Sequence, residues 1–217
     1  LFDALIPRLG LVQLPVLPFP DPGSRWVAGH YLDEFAESHA KDMVVRERLG
    51  VSLPSAGVAT AIERTLIGRI AALRGGLPFD PACLTEDYEL GLAAARLGAP
   101  GAMVRVRDRT GALVATREHF PASFAAAVRQ KSRWLTGITL AGWERTGWAG
   151  GWAEAWWRWR DRKPVIGAPL TLLAYLALAL GLGVALVRAA WPVALAGLPP
   201  LVAPGGVLAA LLAANGA

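Results

Sequence analysis

The sequence predicts an α/β domain followed by transmembrane α-helices. Short apolar runs punctuated by proline and glycine alternate with helical patterns across residues 11–143, as in a layered domain of strands and helices. Residues 1–163 carry all 17 acids and 21 of the 22 bases, which reads as a soluble, mildly basic surface. Residues 164–217 hold a single charge, Arg188, and read as membrane material. A chain that is 54% hydrophobic with one cysteine is neither disordered nor a disulfide-stapled miniprotein, and the nearly charge-free tail excludes a plain soluble protein. The net +4 of residues 1–163 suits an anionic substrate or a membrane surface and is too small to argue for nucleic acid.

The elements follow in order. Residues 11–17 (LVQLPVL) form a short apolar run and read as a strand, and residues 18–24 (PFPDPGS) as a loop. Residues 33–49 read as a helix with a charged face, stopped by Gly50. The turn at 54–57 (PSAG) leads into a helix expected over 58–73, ending at Gly75 and Gly76. Thr85 is placed to cap a helix of about 86–97, with Gly98 just past its end. Residues 102–107 and 112–117 read as half-buried strands around a turn at 108–111. Phe120 and Pro121 break the chain before a long helix of about 122–143.

Six of the nine tryptophans fall in residues 143–159, with Arg158, Arg160, Arg162 and Lys163 among or just after them. Residues 165–187 then run without a charge, and at about 1.5 Å per residue they suffice for a hydrocarbon core about 30 Å thick. Tryptophan favours the membrane interface and Lys/Arg the cytoplasmic flank, so residues before 164 are expected on the cytoplasmic side. A second apolar stretch, broken by Pro192, Pro199, Pro200 and Pro204, is a second span of uncertain limits. The organisation expected is a domain at 1–147, an interfacial segment at 148–164 and a transmembrane region at 165–217.

Two motifs carry chemistry. Thr85-Glu86-Asp87 lies at a predicted helix N-terminus. Alone it is an N-cap followed by acids that suit the positive helix end. Gln130, Arg133 and Trp134 are spaced i, i+3, i+4 and share a helical face. An amide, a guanidinium fork and an indole suit a sugar ring and a phosphate. No GxGxxG or Walker pattern occurs, and His30, His39 and His119 share no ligand spacing, so surface or structural roles are expected for them. Cys83 reads as a small buried residue beside the first motif, Lys131 and Ser132 as facing away from the neighbours of Arg133, and Asp33, Glu34 and Glu37 as a solvated helix face. Arg105, Arg107, Arg109 and Arg117 read as a basic, solvated strand face.

TED followed by QxxRW ahead of an apolar span resembles the membrane-bound family 2 glycosyltransferases, the cellulose- and hyaluronan-synthase-like group. The strings VQLPV, PSAGVATA, LTEDYELGL, ATREHFP and AVRQKSRWLTGI look like the bacteriophage adsorption protein B type. The resemblance implies the C-terminal, acceptor half of a GT-A (nucleotide-diphospho-sugar transferase) domain, and an inverting transfer from a nucleotide-sugar donor to a glycan or lipid-linked acceptor. It implies that Asp87 is the general base, that Thr85 and Glu86 position it, and that Gln130, Arg133 and Trp134 line the acceptor and diphosphate site. The loop at 54–57 would lie near the acceptor. A divalent cation, Mg²⁺ or Mn²⁺, is implied as cofactor, and membrane lipids as partners. The location implied is a bacterial inner membrane with the catalytic domain cytoplasmic. No DxD occurs in the chain; it is expected upstream of Leu1, so that the 217 residues alone would be inactive. The alternative is a non-catalytic membrane component of a glycan-secretion or phage-adsorption system.

Overall fold

The computed structural model describes residues 10–99, 101–148, 150–193, 197, 200 and 202–215; Leu1 and Pro199, singled out above, lie outside them. The chain divides into two compact units, Leu1–Val165 and Ile166–Ala217.

Mixed strands and helices build the first unit, consistent with the expected α/β class. The single strand expected over 11–17 is two: β1 (Leu11–Gln13) and β2 (Val16–Pro18). Pro15 has no N–H to give a ladder, so the chain changes sheets there. β1 is the centre of a three-stranded sheet, antiparallel to β3 (Thr60–Ile62) and parallel to β4 (Gly101–Met103), with Val12 opposite Ala61 and Ala102. β2 pairs in parallel with β5 (Thr116–Glu118). The stretch between β4 and β5 is extended only loosely, joined by a bridge between Arg107 and Leu113 and a turn in which Asp108 accepts the Thr110 N–H at 2.8 Å.

The first helical rod starts at Val27 rather than at residue 33: α1 (Val27–Glu37), a π-helical segment (Ser38–Asp42) and α2 (Met43–Arg48) follow without a break. Ala28 and Tyr31 are buried, so packing recruits residues that show no charged face. The helix expected from residue 58 begins instead at α3 (Arg64–Leu73), because residues 60–62 pair with β1 as β3. Short apolar runs are ambiguous between helix and strand, and the open sheet edge decided this one. Glu63 caps α3, accepting the N–H groups of Thr65 at 3.0 Å and Leu66 at 2.7 Å. α4 (Glu86–Arg96) ends before Gly98, whose φ of +73° closes it. The long helix is α5 (Phe124–Trp134), a π-helical segment (Leu135–Ala141) and α6 (Gly142–Thr146), and α7 (Trp152–Arg162) follows.

The core gathers Leu11, Met43, Leu53, Leu66, Ile70 and Leu90 between the three-stranded sheet and its helices. α4 approaches residues 53–55 at backbone distance: a Cβ on Gly91 would overlap the Leu53 carbonyl and stand 2.7 Å from Ser55 N and 2.8 Å from Pro54 Cα. α7 is held within this unit by buried charge. Asp161 accepts from Arg46 and, at 2.7 Å, from the Tyr88 hydroxyl. Glu154 accepts the Ser52 N–H at 2.8 Å and pairs with Arg158 at 3.0 Å. Trp157, Arg158 and Arg162 are therefore inside, while Trp152, Trp156 and Trp159 remain exposed at 80%, 53% and 40%. His39, in the first π-helical segment, accepts the Val16 N–H at 3.3 Å through Nδ1 and stacks on Phe35. Burial holds its pKa down at about 4.

In the second unit, α8 (Pro164–Ala190) has 27 residues, none buried, and a mean hydropathy of 2.4 over its most apolar window. At ~1.5 Å per residue it extends about 40 Å, long and apolar enough to cross a membrane. It overruns the 165–187 read from charge, because Arg188 tolerates a helix end. α9 (Val207–Asn215) is nine residues, too short to span alone.

Two stability predictions follow from this packing. Gly91→Ala should lower unfolding free energy by about 3 kcal/mol, whereas Gly68→Ala, with open space around it in α3, should raise it by ~0.5–1 kcal/mol; denaturant titration in detergent reads both. His39 is neutral when folded and has a lower pKa than when unfolded, near 6.5. Its contribution is whole above pH 6.5 and is lost as pH falls toward 4, by roughly 2 kcal/mol at about pH 5. His39→Gln should flatten that acid slope; an unchanged slope would place the acid sensitivity elsewhere.

Candidate functional site

The first motif opens α4. Thr85 occupies the N-cap position, but its side chain does not cap: Oγ1 is buried and hydrogen-bonded to none of the described residues. The first turn instead carries Glu86, Asp87 and Glu89, matched to the positive helix end. Asp87 is half-buried and its Oδ1 accepts the Tyr88 N–H at 2.8 Å. Two effects oppose each other at this carboxyl. Burial raises its pKa and neighbouring Glu86 adds to that, while the helix amides and Arg133 lower it. Burial is the largest effect, so Asp87 binds a proton more readily than an ordinary aspartate.

Asp87 lines a cleft of about 670 Å³ with Glu86, Ser55, Gly57, Thr60 and Cys83. Gly57 has φ +77°, and a Cβ there would stand 2.8 Å from Asp87 Oδ2, so the 54–57 loop lies directly on the carboxylate. That loop is held by Gln13, a residue the sequence reading passed over. Its Nε2 donates to the carbonyls of Leu14 and Val58 at 2.8 and 2.9 Å, and its Oε1 accepts the Ala56 N–H at 2.9 Å and the Thr60 hydroxyl at 2.5 Å. These bonds hold Ala59 at φ +55°, a strained angle for a residue with a Cβ. The available signal was a lone amide in an otherwise apolar strand; a buried amide needs partners, and only a nearby loop supplies four.

The second motif ends α5, and the π-helical segment begins at the next residue. Such bulges shift the helix face after them. Here Gly137 is brought against Thr85: a Cβ on it would stand 2.6 Å from Thr85 Oγ1. The π-helical segment that follows the second motif thus touches the first motif, Gly137 against Thr85, while Gln130, Arg133 and Trp134 are not among the residues lining the Asp87 cleft. Arg133 is exposed and makes no hydrogen bond to the described residues, while its charge favours the ionised form of Asp87. Gln130 Oε1 is buried without a hydrogen-bond partner among the described residues. Unpaired buried polar atoms are uncommon, and two of them fall on these motifs, Thr85 Oγ1 and Gln130 Oε1. Trp134 is half-buried, edge-on to Tyr31 with ring centroids 6.2 Å apart and tilted to Phe35 at 6.3 Å.

Lys131 does not face away, and Glu34 is not merely solvated. The Lys131 ammonium pairs with Glu34 and lies 4.8 Å above the Tyr31 ring and 5.0 Å above the Trp134 ring. The reason is helical spacing: residue 131 is i−3 to Trp134 and shares its face. His30 and His119 are exposed and His39 is structural. Among the described residues no three His, Cys, Asp or Glu side chains converge as a metal site. Asp80, Cys83, Glu86 and Asp87 line the cleft, but no three of them converge, so the divalent cation implied by the resemblance has no ligand set among the described residues.

Comparison with known proteins gives concordant matches. Residues 2–211 match the family described as "Glycosyl transferase family group 2". The chain is 35% identical over 208 residues to "Bacteriophage adsorption protein B" of Escherichia coli (strain K12), covering 88% of this chain and 28% of that protein. It matches "Bacteriophage N4 adsorption protein B" of Escherichia coli O157:H7 with the same identity and coverage. The chain thus spans 28% of the length of these curated relatives.

Gln13→Leu should leave the Ala56 amide and the Val58 carbonyl unpaired and cost about 2–3 kcal/mol. Hydrogen exchange at Ala56 should accelerate while exchange in the core of α3 stays slow; equal acceleration at both would mean general unfolding instead of a released loop.

Proposed function

The chain belongs to glycosyl transferase family group 2, and from that premise we propose that the Asp87 cleft is the acceptor and general-base side of an inverting, membrane-anchored transferase. The observation that carries this reading is a carboxylate made more basic by burial, roofed by the 54–57 loop, on a helix whose start touches the segment just after QxxRW.

A sugar hydroxyl is a poor nucleophile at neutral pH. Its oxygen attacks the anomeric carbon as its proton passes to Asp87, and the bond from that carbon to the nucleoside diphosphate breaks with inversion. Burial keeps Asp87 a competent base despite the helix end, which would otherwise weaken it. Arg133, exposed and without a hydrogen bond to the described residues, is available to meet charge on the leaving diphosphate. Trp134 offers a ring face to a sugar, and Gln130 an amide whose buried Oε1 has no hydrogen-bond partner among the described residues. Glu86 and Thr85 hold the entry to α4, Glu86 by its charge beside Asp87 and Thr85 by its contact with Gly137. Family membership makes a divalent cation plausible, and when bound it would neutralise diphosphate charge.

The substrates proposed are a nucleotide-sugar donor and a glycan or lipid-linked acceptor. α8 is proposed as a membrane span of a bacterial inner membrane, with the catalytic unit cytoplasmic. Its charge-free length, the exposed Trp152, Trp156 and Trp159, and the Arg/Lys residues just before it support this. The names of the two relatives favour a second reading, a non-catalytic component serving bacteriophage adsorption.

Asp87→Asn in the full-length protein should reduce kcat/KM by ~10²–10⁴ with little change in unfolding midpoint, measured as sugar transfer from a panel of radiolabelled UDP- and GDP-sugars into a membrane extract. Near-normal turnover would sink the base assignment. Because burial raises the Asp87 pKa, activity should fall as pH drops through a value above the ordinary aspartate value of about 3.9.

A further inference from the structure

Within QxxRW the second position is occupied here by Lys131, and nothing in the transfer chemistry above uses it. Its surroundings are specific all the same. Glu34 on α1 takes its charge, the Tyr31 ring lies 4.8 Å below it, and the Trp134 ring lies 5.0 Å away. Tyr31 is fully buried and stacked on Phe120 with centroids 5.0 Å apart, so one wall of the ammonium site is immobile. Trp134 is the other wall. Among the described residues its aromatic neighbours are Tyr31, edge-on at 6.2 Å, and Phe35, tilted at 6.3 Å, so the ammonium is the one cation against its ring face there.

The ion pair itself is open to water, with side-chain exposures of 30% for Lys131 and 39% for Glu34. Such pairs add little to folding stability, so stability does not account for the arrangement. A cation over an indole face is directional and fixes the ring plane. We propose that Lys131 is a positioning residue for Trp134: anchored by Glu34 and seated against Tyr31, its ammonium sets the angle at which the indole meets the acceptor's sugar ring. This inference rests on the reading of the cleft as a transferase acceptor site. Its contribution belongs to acceptor binding and not to the proton transfer or the departure of the diphosphate.

The test uses the full-length protein, radiolabelled UDP- and GDP-sugars as donors, and a total membrane extract of the producing bacterium as the acceptor pool. Lys131→Met keeps the apolar stem and removes the cation. It should raise the half-saturating extract concentration about tenfold while kcat and donor KM stay within about twofold. Lys131→Arg should restore the half-saturating value to within about threefold, and Glu34→Gln should fall between. A second readout does not need turnover: with fluorotryptophan incorporated, the ¹⁹F line of Trp134, assigned by its loss in Trp134→Phe, should shift or broaden in Lys131→Met and recover in Lys131→Arg. An active wild type whose acceptor saturation and Trp134 line are unmoved in Lys131→Met overturns the inference alone. So does an equal loss of kcat in Lys131→Met and Lys131→Arg, which would mark a merely structural role. A wild type that transfers no sugar from any donor overturns the transferase reading and this inference with it.

Discussion

The cleft depends on one steric constraint: α4 lies against residues 53–55 with no side chain between them. Gly91 makes this possible, since any Cβ there would overlap backbone rather than a movable side chain. The contact puts Leu53 into the core and delivers the 54–57 loop to the start of the same helix, where Gly57 meets Asp87. A second close approach, Gly137 on Thr85, brings the segment just after the other motif to the same helix end. Two glycines at the ends of contacts, instead of long-range attraction, thus set the distances within the site. Close backbone approach also removes water from Asp87, and that desolvation is the cause of its raised pKa.

Behind this helix lies a layer of charge that is rarely buried so thoroughly. Tyr88 donates to Asp161, Asp161 accepts from Arg46, and Arg46 lies over Trp157. Glu89, buried on the next turn face, is held by Arg145 at 2.6 Å and Arg74 at 3.8 Å. Buried pairs give back in mutual attraction what they lose in desolvation only when geometry is good, and they punish misplacement. They therefore hold α4 in one register against α7 more strictly than apolar packing does. Burial and Asp161 push the Tyr88 phenol far up, so it stays neutral and keeps donating. Arg162 leaves Nε and Nη1 without a hydrogen-bond partner among the described residues, and its guanidinium lies over the Trp143 and Trp148 rings, at 5.0 and 4.4 Å.

Local chemistry was legible where one residue decides it. Gly98 past the end of α4 and the charge-free run of α8 are visible in the sequence because left-handed turns and hydrophobic length are local properties. The strand β3 was not legible, since residues 58–62 carry a pattern compatible with helix and only the free edge of β1 selects strand. Nor was the split of residues 11–17, although Pro15 was in view: a proline says that a ladder breaks, not which second sheet receives the chain. Tryptophans 152 to 159 form one class in sequence and two in space, because helix rotation alone decides that Trp157 is inside and its neighbours outside.

The sequence by itself determined the family, through TED and QxxRW at their spacing ahead of an apolar run, and the identities of Asp87, Gln130, Arg133 and Trp134 as candidates. Those are matters of which chemical groups are present. The tertiary structure decided which of them meet and what their surroundings do: burial over helix field at Asp87, Gln13 as the hidden support of the cleft loop, Thr85 as a packing residue instead of a cap, and Lys131 between two rings. The physical reason is that pKa, desolvation and ring orientation depend on neighbours from distant segments, and distances between segments are set by packing that no local pattern encodes.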